Sequence, residues 1–332
     1  MPERKVIYYS SGKIKEEHWL EEDKYHREDG PALTAYYENG NKMREIYFAN
    51  GKYHRIGGPA VIEYFPDGKI EHLGWYIDGK AHRNDAPAVI TYYRSGKVRY
   101  KAWYSRGLLD RDSQPAEVEY YENGNKKFEA WYKGGKLNRK DGPAYIAYFE
   151  NGVKAKEMWY LGGINHREGG PAEIDYYLDG KIEAEYWVRN GELHRDGAPA
   201  VIRYYNNGKV KEEKWYRHGL LHKRDGPAAV VYYLDGIKME EAWYLDGKIH
   251  RPDGPAIISY GEKGKVMEEY WYRYGTAHRE DGPAVITYDE DGRVIYKAYY
   301  YNGKFLNPEE FKKQTALKKL IEKQKTSSKI TL

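Results

Sequence analysis

The residues from position 199 to position 226 decide the fold, and they read PAVIRYYNNGKVKEEKWYRHGLLHKRDG. The 332-residue chain carries ten such 28-residue units without an insertion, and their first residues are Pro31, Pro59, Pro87, Pro115, Pro143, Pro171, Pro199, Pro227, Pro255 and Pro283. Counted from each proline, position 1 is always Ala, positions 9 and 20 are always Gly, and position 16 is Trp or Tyr. Ten units in one frame identify a tandem-repeat architecture.

Each unit predicts a β-hairpin. Positions 1, 3 and 5 are apolar or aromatic, as in Ala200, Ile202 and Tyr204, and this alternation is typical of a strand. Asn-Gly or Asp-Gly then commonly marks a turn at positions 8 and 9. A two-residue loop there would place the Ala at position 1 opposite the aromatic residue at position 16, whereas a three-residue loop with a Gly bulge would break that pairing.

The sequence therefore predicts an all-β fold, an elongated single-sheet solenoid of tandem antiparallel β-hairpins with a C-terminal α-helix. Two strands per unit give about 10 Å per repeat. We expect a partial N-terminal repeat over 1–30, ten repeats over 31–306, a capping helix over 307–324 and a flexible tail over 325–332. Asn307 suits an N-cap, and an apolar stripe at helical spacing follows it, made of Phe311, Ala316, Leu317, Leu320 and Ile321.

Composition excludes several classes of function. The chain has 37 Tyr and 9 Trp but no Cys, which excludes disulfides and thiolate metal sites. No apolar segment predicts a secretory signal or a membrane span, so we expect an intracellular, non-secreted protein. The net charge is +4, and residues 304–332 carry eight Lys and three Glu, or +5, which leaves about −1 (4 − 5) on the repeats. This charge gives no electrostatic basis for binding of nucleic acid by the repeat body.

The unit resembles the MORN repeat. The resemblance rests on a Tyr/Trp-x-x-Gly signature at Trp75–Gly79, Trp131–Gly135 and Trp243–Gly247, and the longer variants in giant viruses of amoebae, especially marseillevirus-like ones, are the most similar. It implies an elongated scaffold that binds proteins, often as a homodimer. This chain departs from the family after the aromatic strand, where His-Arg-x-Asp-Gly replaces Gly-x-Gly.

A histidine recurs at position 23, and Asp110 and Asn138 replace it in two repeats. Equivalent histidines would lie about 10 Å apart along the sheet, too far to share one zinc ion. The two replacements favour a shared hydrogen-bonding role. We therefore predict no metal site and no cofactor.

Arg at position 24 and Glu at position 14 recur in most repeats. We favour an Arg–Glu or Arg–Asp ladder that ties the return loop, the His-Arg-x-Asp-Gly segment that leads to the next hairpin, to the sheet, and the alternative is an anion-binding row of Arg. Paired Tyr at positions 5 and 6 must point to opposite faces, so one of each pair could line an open surface. The candidate interaction surface comprises Tyr37, Tyr93, Tyr121, Tyr177, Tyr205, Tyr233, Arg83, Arg167, Arg195, Arg251 and Arg279.

We expect no enzyme, because no singular catalytic set stands out and the departures from the repeat look conservative. The expected function is a non-enzymatic scaffold for protein–protein interaction, either a structural or a host-interaction protein if viral, in the infected-cell cytoplasm or the virion. Exposed terminal strands predict a homodimer through one end. The alternative is a binder of lipid or anionic membrane surfaces that uses the Arg row and the basic C-terminal helix.

Overall fold

The protein is mostly β-sheet, with one helix at its C-terminal end. The computed structural model describes residues 2–329, and the side chains of residues 2–321. Twenty-four of the strands pair in an antiparallel β-sheet, and this sheet does not close into a barrel. The predicted fold class of tandem antiparallel hairpins followed by a helix is confirmed.

The chain divides into two compact units. Unit 1 comprises residues 1–166 and 178–180, and unit 2 comprises residues 167–177 and 181–332. Within each unit, the second strand of one repeat pairs with the first strand of the following repeat, as Ile46 with Val61 in unit 1 and Tyr186 with Val201 in unit 2. Each unit is therefore a succession of hairpins joined edge to edge.

The first strand of each repeat covers positions 2 to 5. These strands are Leu33–Tyr36, Val61–Tyr64, Val89–Tyr92, Glu117–Tyr120, Tyr145–Tyr148, Glu173–Tyr176, Val201–Tyr204, Ala229–Tyr232, Ile257–Tyr260 and Val285–Tyr288. The second strands are Lys42–Ile46, Ile70–Gly74, Val98–Ala102, Lys126–Ala130, Lys154–Met158, Ile182–Tyr186, Val210–Lys214, Lys238–Ala242, Val266–Tyr270 and Val294–Tyr301. The partial N-terminal copy contributes Glu3–Tyr8, Ile14–Glu21 and Lys24–Tyr25.

A small hairpin follows each second strand. The first strand of the small hairpin is the third strand of its repeat, and these third strands are Phe48–Ala49, Tyr76–Ile77, Tyr104–Ser105, Tyr132–Lys133, Tyr160–Leu161, Val188–Arg189, Tyr216–Arg217, Tyr244–Leu245 and Tyr272–Arg273. The second strand of the small hairpin is the fourth strand of its repeat, and these fourth strands are Lys52–Tyr53, Lys80–Ala81, Leu108–Leu109, Lys136–Leu137, Ile164–Asn165, Glu192–Leu193, Leu220–Leu221, Lys248–Ile249 and Thr276–Ala277, with Lys304–Leu306 after the last long strand. Positions 19 and 20 form its two-residue turn with positive φ at both residues, as at Asp78 (50°) and Gly79 (79°).

The main hairpin turn is not the two-residue loop, which was one of the two loops that the sequence left open. Tyr37 N–H donates to the Asn41 carbonyl and Gly40 N–H donates to the Tyr37 carbonyl, with Gly40 at a φ of 92°. This geometry is a three-residue loop with a Gly bulge. A second bulge follows in the second strand, because Tyr36 pairs with Lys42 but Ala35 pairs with Arg44.

The two bulges offset each other. Leu33 pairs with Ile46, in the register that a two-residue loop would give, and the strand pairing ends there. Position 1 has no ladder partner at position 16 of its own repeat: the Ala32 N–H donates to the Ile46 carbonyl at 2.9 Å, and the Tyr47 N–H donates to the Ala60 carbonyl of the next repeat at 2.7 Å. All ten position-1 alanines have no exposed surface, which explains why no larger side chain stands there.

The helix α1 spans Pro308–Lys329. Asn307 Oδ1 accepts the N–H groups of Glu309 and Glu310, and Glu310 accepts the Asn307 N–H in return, which forms a capping box. The helix continues past residue 324, where the sequence predicted its end, and residues 330–332 of the predicted tail lie outside the described residues. Phe311 is buried against Tyr299, with ring centroids 4.9 Å apart.

Candidate interaction surface

The recurring Arg at position 24 lies over the aromatic ring at position 16. The distance from Arg Cζ to the ring centroid is 3.5 Å for Arg195 over Trp187 and 3.9 Å for Arg83 over Trp75. One guanidinium N–H donates to the carbonyl of the next repeat's proline, as from Arg195 to Pro199 at 3.2 Å. Each such Arg therefore clamps the return loop onto the sheet by a cation–π contact and a hydrogen bond.

In the repeats that have Gly at position 27, the guanidinium lies close to that residue. A Cβ at Gly254 would lie 2.7 Å from Arg251 Cζ, and one at Gly170 would lie 2.8 Å from Arg167 Cζ. Glycine is not required there, because Ala86 and Ala198 hold position 27 beside Arg83 and Arg195, whose Cζ atoms still lie 3.9 and 3.5 Å from their ring centroids.

Arg–Asp pairs join positions 24 and 26 within the return loop, so they do not tie that loop to the sheet as the predicted ladder would. Arg27 contacts Asp29 at 2.8 Å, Arg279 contacts Asp281 at 2.8 Å, and Arg251 contacts Asp253 at 3.4 Å. The predicted Arg–Glu ladder is not what the structure shows, because the carboxylate at position 14 accepts a hydrogen bond from a tyrosine instead.

The position-14 carboxylate accepts a hydrogen bond from the position-5 hydroxyl of a neighbouring repeat. Tyr64 donates to Glu45 at 2.5 Å and Tyr232 donates to Glu213 at 3.0 Å. Burial and the charge of Glu213 raise the pKa of Tyr232 to about 12, so this hydroxyl stays protonated and acts as a donor. Lys42 also pairs with Glu45, at 2.6 Å.

The tyrosines at position 6 also join repeats. The Tyr205 hydroxyl donates to the Tyr232 carbonyl, 27 residues further on, at 2.7 Å. Six further bonds of the same kind measure 2.7–3.0 Å, and their donors are Tyr9, Tyr37, Tyr93, Tyr121, Tyr177 and Tyr233. These rings are half-buried, so an edge of each remains accessible.

The histidine at position 23 accepts a hydrogen bond from a turn of the next repeat. Nδ1 of His278 accepts the Asn302 N–H at 3.0 Å, and Nδ1 of His222 accepts the Asp246 N–H at 3.2 Å. In the repeats without His, Asp110 accepts the Gly134 N–H at 3.0 Å and Asn138 accepts the Gly162 N–H at 2.8 Å. The shared hydrogen-bonding role expected from these replacements is what the structure shows.

The residues of the candidate interaction surface are thus all engaged within the chain. Its six tyrosines donate to backbone carbonyls of the following repeat. Arg83, Arg195, Arg251 and Arg279 lie over Trp rings, and Arg167 donates to the Pro171 carbonyl at 3.0 Å. Sequence reasoning missed these bonds, because their partners lie up to 27 residues away and depend on the stacking of repeats.

Apolar side chains are exposed at the C-terminal end of the chain. In the last long strand Val294, Ile295 and Tyr296 are 43%, 64% and 53% exposed. On α1, Leu317 and Leu320 are 55% and 59% exposed. The predicted capping stripe therefore buries Phe311 but leaves the rest of its apolar face in solvent.

Two repeats lack the aromatic residue at position 6. Tyr or Phe stands there in the first eight full repeats, but Gly261 takes the place in the ninth and Asp289 in the tenth. The expectation that departures are conservative is wrong at this position. A cleft of about 470 Å³ lies here, lined by residues that include Gly261, Met267 and Glu290.

Among residues 2–329, no three His, Asp or Glu side chains converge as metal ligands. Within the same range, no helix has the length and apolar character needed to cross a membrane.

Comparisons with known proteins give distant structural similarity only. Neither a family model nor a curated protein matches this chain. An alternansucrase in complex with isomaltononaose is 14% identical with a TM-score of 0.18, and the match covers 81% of this chain and 18% of that one. Choline binding protein F from Streptococcus pneumoniae is 12% identical with a TM-score of 0.16, over 92% of this chain and 99% of that one.

A TcdB2-TccC3 structure without its hypervariable C-terminal region is 13% identical with a TM-score of 0.16, over 90% of this chain. The chain spans less than a fifth of the lengths of the alternansucrase and TcdB2-TccC3 chains. At these TM-scores the similarities carry no argument about function.

Proposed function

We propose that this protein is a non-enzymatic, intracellular MORN-type scaffold that forms a homodimer through its C-terminal end and binds a protein partner. In a giant virus of amoebae it would act as a structural or host-interaction protein, in the infected-cell cytoplasm or the virion. The Trp-Tyr-x-x-Gly signature supports the family assignment, because its Gly forms the tight turn of the small hairpin.

The observation that carries the scaffold proposal is that the recurring polar side chains form hydrogen bonds to neighbouring repeats. Position-5 Tyr hydroxyls bond to Glu, position-6 Tyr hydroxyls bond to carbonyls, and position-23 His rings bond to turn amides. Side chains that hold repeats together are not available to converge on a substrate. Partner recognition is left to the exposed residues that vary from repeat to repeat, such as Leu178 and Leu234 at position 7.

The homodimer proposal rests on the exposed C-terminal strand and helix. The Val294–Ala298 part of the last long strand pairs with Val285–Tyr288 along one edge, and in the described chain no strand lies along its other edge. An unpaired edge with exposed Ile295 and Tyr296 would add strands from a second copy, and Leu317 and Leu320 would extend the buried area.

Sedimentation velocity on the full chain at micromolar concentration tests the dimer. We expect the wild-type chain to be a dimer and Ile295→Lys to be a monomer, because the charge would face an apolar interface. Ile7→Lys is the matched control: Ile7 is also exposed, at 45%, but lies on the N-terminal edge strand, so this variant should remain a dimer. A monomeric wild-type chain would overturn the dimer proposal.

Binding to an anionic lipid surface is the competing outcome. The Arg rows support it weakly, because their guanidinium groups lie on Trp rings, and the remaining basis is the Lys-rich helix. Flotation with vesicles containing phosphatidylserine, with and without residues 308–332, distinguishes the two. The scaffold proposal predicts no flotation of either chain, whereas flotation that depends on the helix would favour the lipid surface.

A further inference from the structure

The cleft at Gly261 lies where a ring of the position-6 row would otherwise lie. The backbone there keeps the geometry of the other repeats: Gly261 N–H donates to the Lys265 carbonyl at 2.9 Å, and Gly264 N–H donates to the Gly261 carbonyl at 2.8 Å. The equivalent bonds at Tyr233 are 2.8 and 2.9 Å. The repeat therefore lacks only the aromatic side chain.

The groups that a position-6 ring meets elsewhere are still present. In seven other pairs of repeats, a Tyr hydroxyl donates to the position-5 carbonyl of the following repeat, and the counterpart of that carbonyl here belongs to Tyr288. The position-12 side chain covers the ring elsewhere, as Arg99 Cζ does 5.8 Å from the Tyr93 centroid. At Gly261 position 12 is Met267, whose Sδ would lie 3.4 Å from a Cβ on that glycine.

The thioether of Met267 is suited to contact an aromatic ring that binds reversibly in the cleft. Methionine is flexible and polarizable and makes favourable contacts with aromatic rings, so Met267 can move aside and then cover a ring that enters. The rim carries three acidic residues, Glu262, Glu290 and Asp291, against Lys263 and Lys265. Asp291 already pairs with Arg293 at 3.3 Å, whereas Glu262 and Glu290 have no ion pair in the described part of the chain. These two carboxylates can pair with positive charges that flank a bound ring.

We propose that this cleft binds a tyrosine side chain from a basic segment of a partner protein. The ring takes the place left by Gly261, and its hydroxyl donates to the Tyr288 carbonyl. This inference rests on the proposed scaffold function and names one contact of its partner.

The test uses the full chain with ¹³C-labelled methionine methyl groups and the tripeptide acetyl-Lys-Tyr-Lys-amide. The protein has five methionines, and Met43 and Met239 hold the same position 12 beside the filled sites of Tyr37 and Tyr233. We expect the Met267 methyl resonance to shift on titration through the ring current of the bound tyrosine, while the Met43 and Met239 resonances stay in place. Assignment comes from Met267→Leu.

Two further peptides test the chemistry of the ligand. Acetyl-Lys-Phe-Lys-amide should bind about two- to tenfold more weakly, because it lacks the hydroxyl that donates to the Tyr288 carbonyl. Acetyl-Lys-Ala-Lys-amide should produce no shift. In Gly261→Tyr the chain's own ring fills the cleft, so the shift with the tyrosine peptide should disappear.

Any of three results would overturn the proposal: an unmoved Met267 resonance, equal shifts at all three methionines, or an unchanged titration in a folded Gly261→Tyr. The wild-type peptide series decides the matter without that variant if the variant does not fold. Since the experiment reports on Met267 alone, its failure would leave the scaffold proposal standing, and that proposal fails by its own sedimentation test.

Discussion

Replacement of Arg195 by Ala should loosen one repeat measurably. The guanidinium lies 3.5 Å from the Trp187 centroid and donates to the Pro199 carbonyl. A partly desolvated cation–π contact contributes about 1 kcal/mol, and the charged hydrogen bond contributes about as much again. The expected local loss of stability is therefore about 2 kcal/mol.

Amide hydrogen exchange followed by mass spectrometry reads this loss locally, which matters because arrays of repeats can open in parts. At about 1.4 kcal/mol per factor of ten, Arg195→Ala should lower protection over residues 185–203 about thirtyfold. Arg195→Lys should cost less, because Lys223 already lies 3.7 Å from the Trp215 centroid in the same frame.

The control is Arg217→Ala, whose side chain is exposed on a third strand. It should leave protection over 185–203 unchanged. A loss below about threefold in Arg195→Ala, or equal losses in the Ala and Lys variants, would refute the clamp role assigned to this arginine.

Three further substitutions test other contacts of the frame. Burial and Arg273 lower the pKa of His250, so the contribution of its neutral ring to the free energy of unfolding is present above pH 6.5 and is lost as the pH falls below that value. His250→Asn, a replacement that another repeat already carries, should therefore reduce the loss of stability at low pH, as measured by urea titrations at several pH values. Tyr205→Phe should cost about 1 kcal/mol in local exchange through loss of the hydroxyl bond to the next repeat, and no change would refute that bond. Gly254→Ala should leave the thermal midpoint nearly unchanged, because Ala198 holds the same position beside Arg195, and a large drop would show that Arg251 cannot shift away from a new Cβ 2.7 Å from its Cζ.

The strands and the helix start could be predicted because they follow from short-range patterns. The alternation at Ala200, Ile202 and Tyr204 lies within a strand, and the Asn307 cap lies within one helical turn. The paired bulges could not be predicted, because each shifts the register by one residue and only their sum restores the pairing of positions 2 and 15.

The roles of the recurring side chains were harder to read. Position-6 Tyr reaches a carbonyl 27 residues away, and no feature near Tyr205 in the sequence indicates that acceptor. The hydrogen-bonding role of the histidine could be predicted, because Asp110 and Asn138 replace it and what all three side chains share is an acceptor. The break at Gly261 was equally visible in the frame, since position 6 is aromatic in all earlier full repeats.

The central claim is that the residues recurring in the frame join one repeat to the next. A scalar coupling across the hydrogen bond between the Asn302 amide nitrogen and Nδ1 of His278 tests it most directly, in ¹⁵N-labelled protein at neutral pH. The 3.0 Å bond predicts a measurable coupling for this pair. A protonated Nδ1 on His278, with no coupling to Asn302, would contradict the claim.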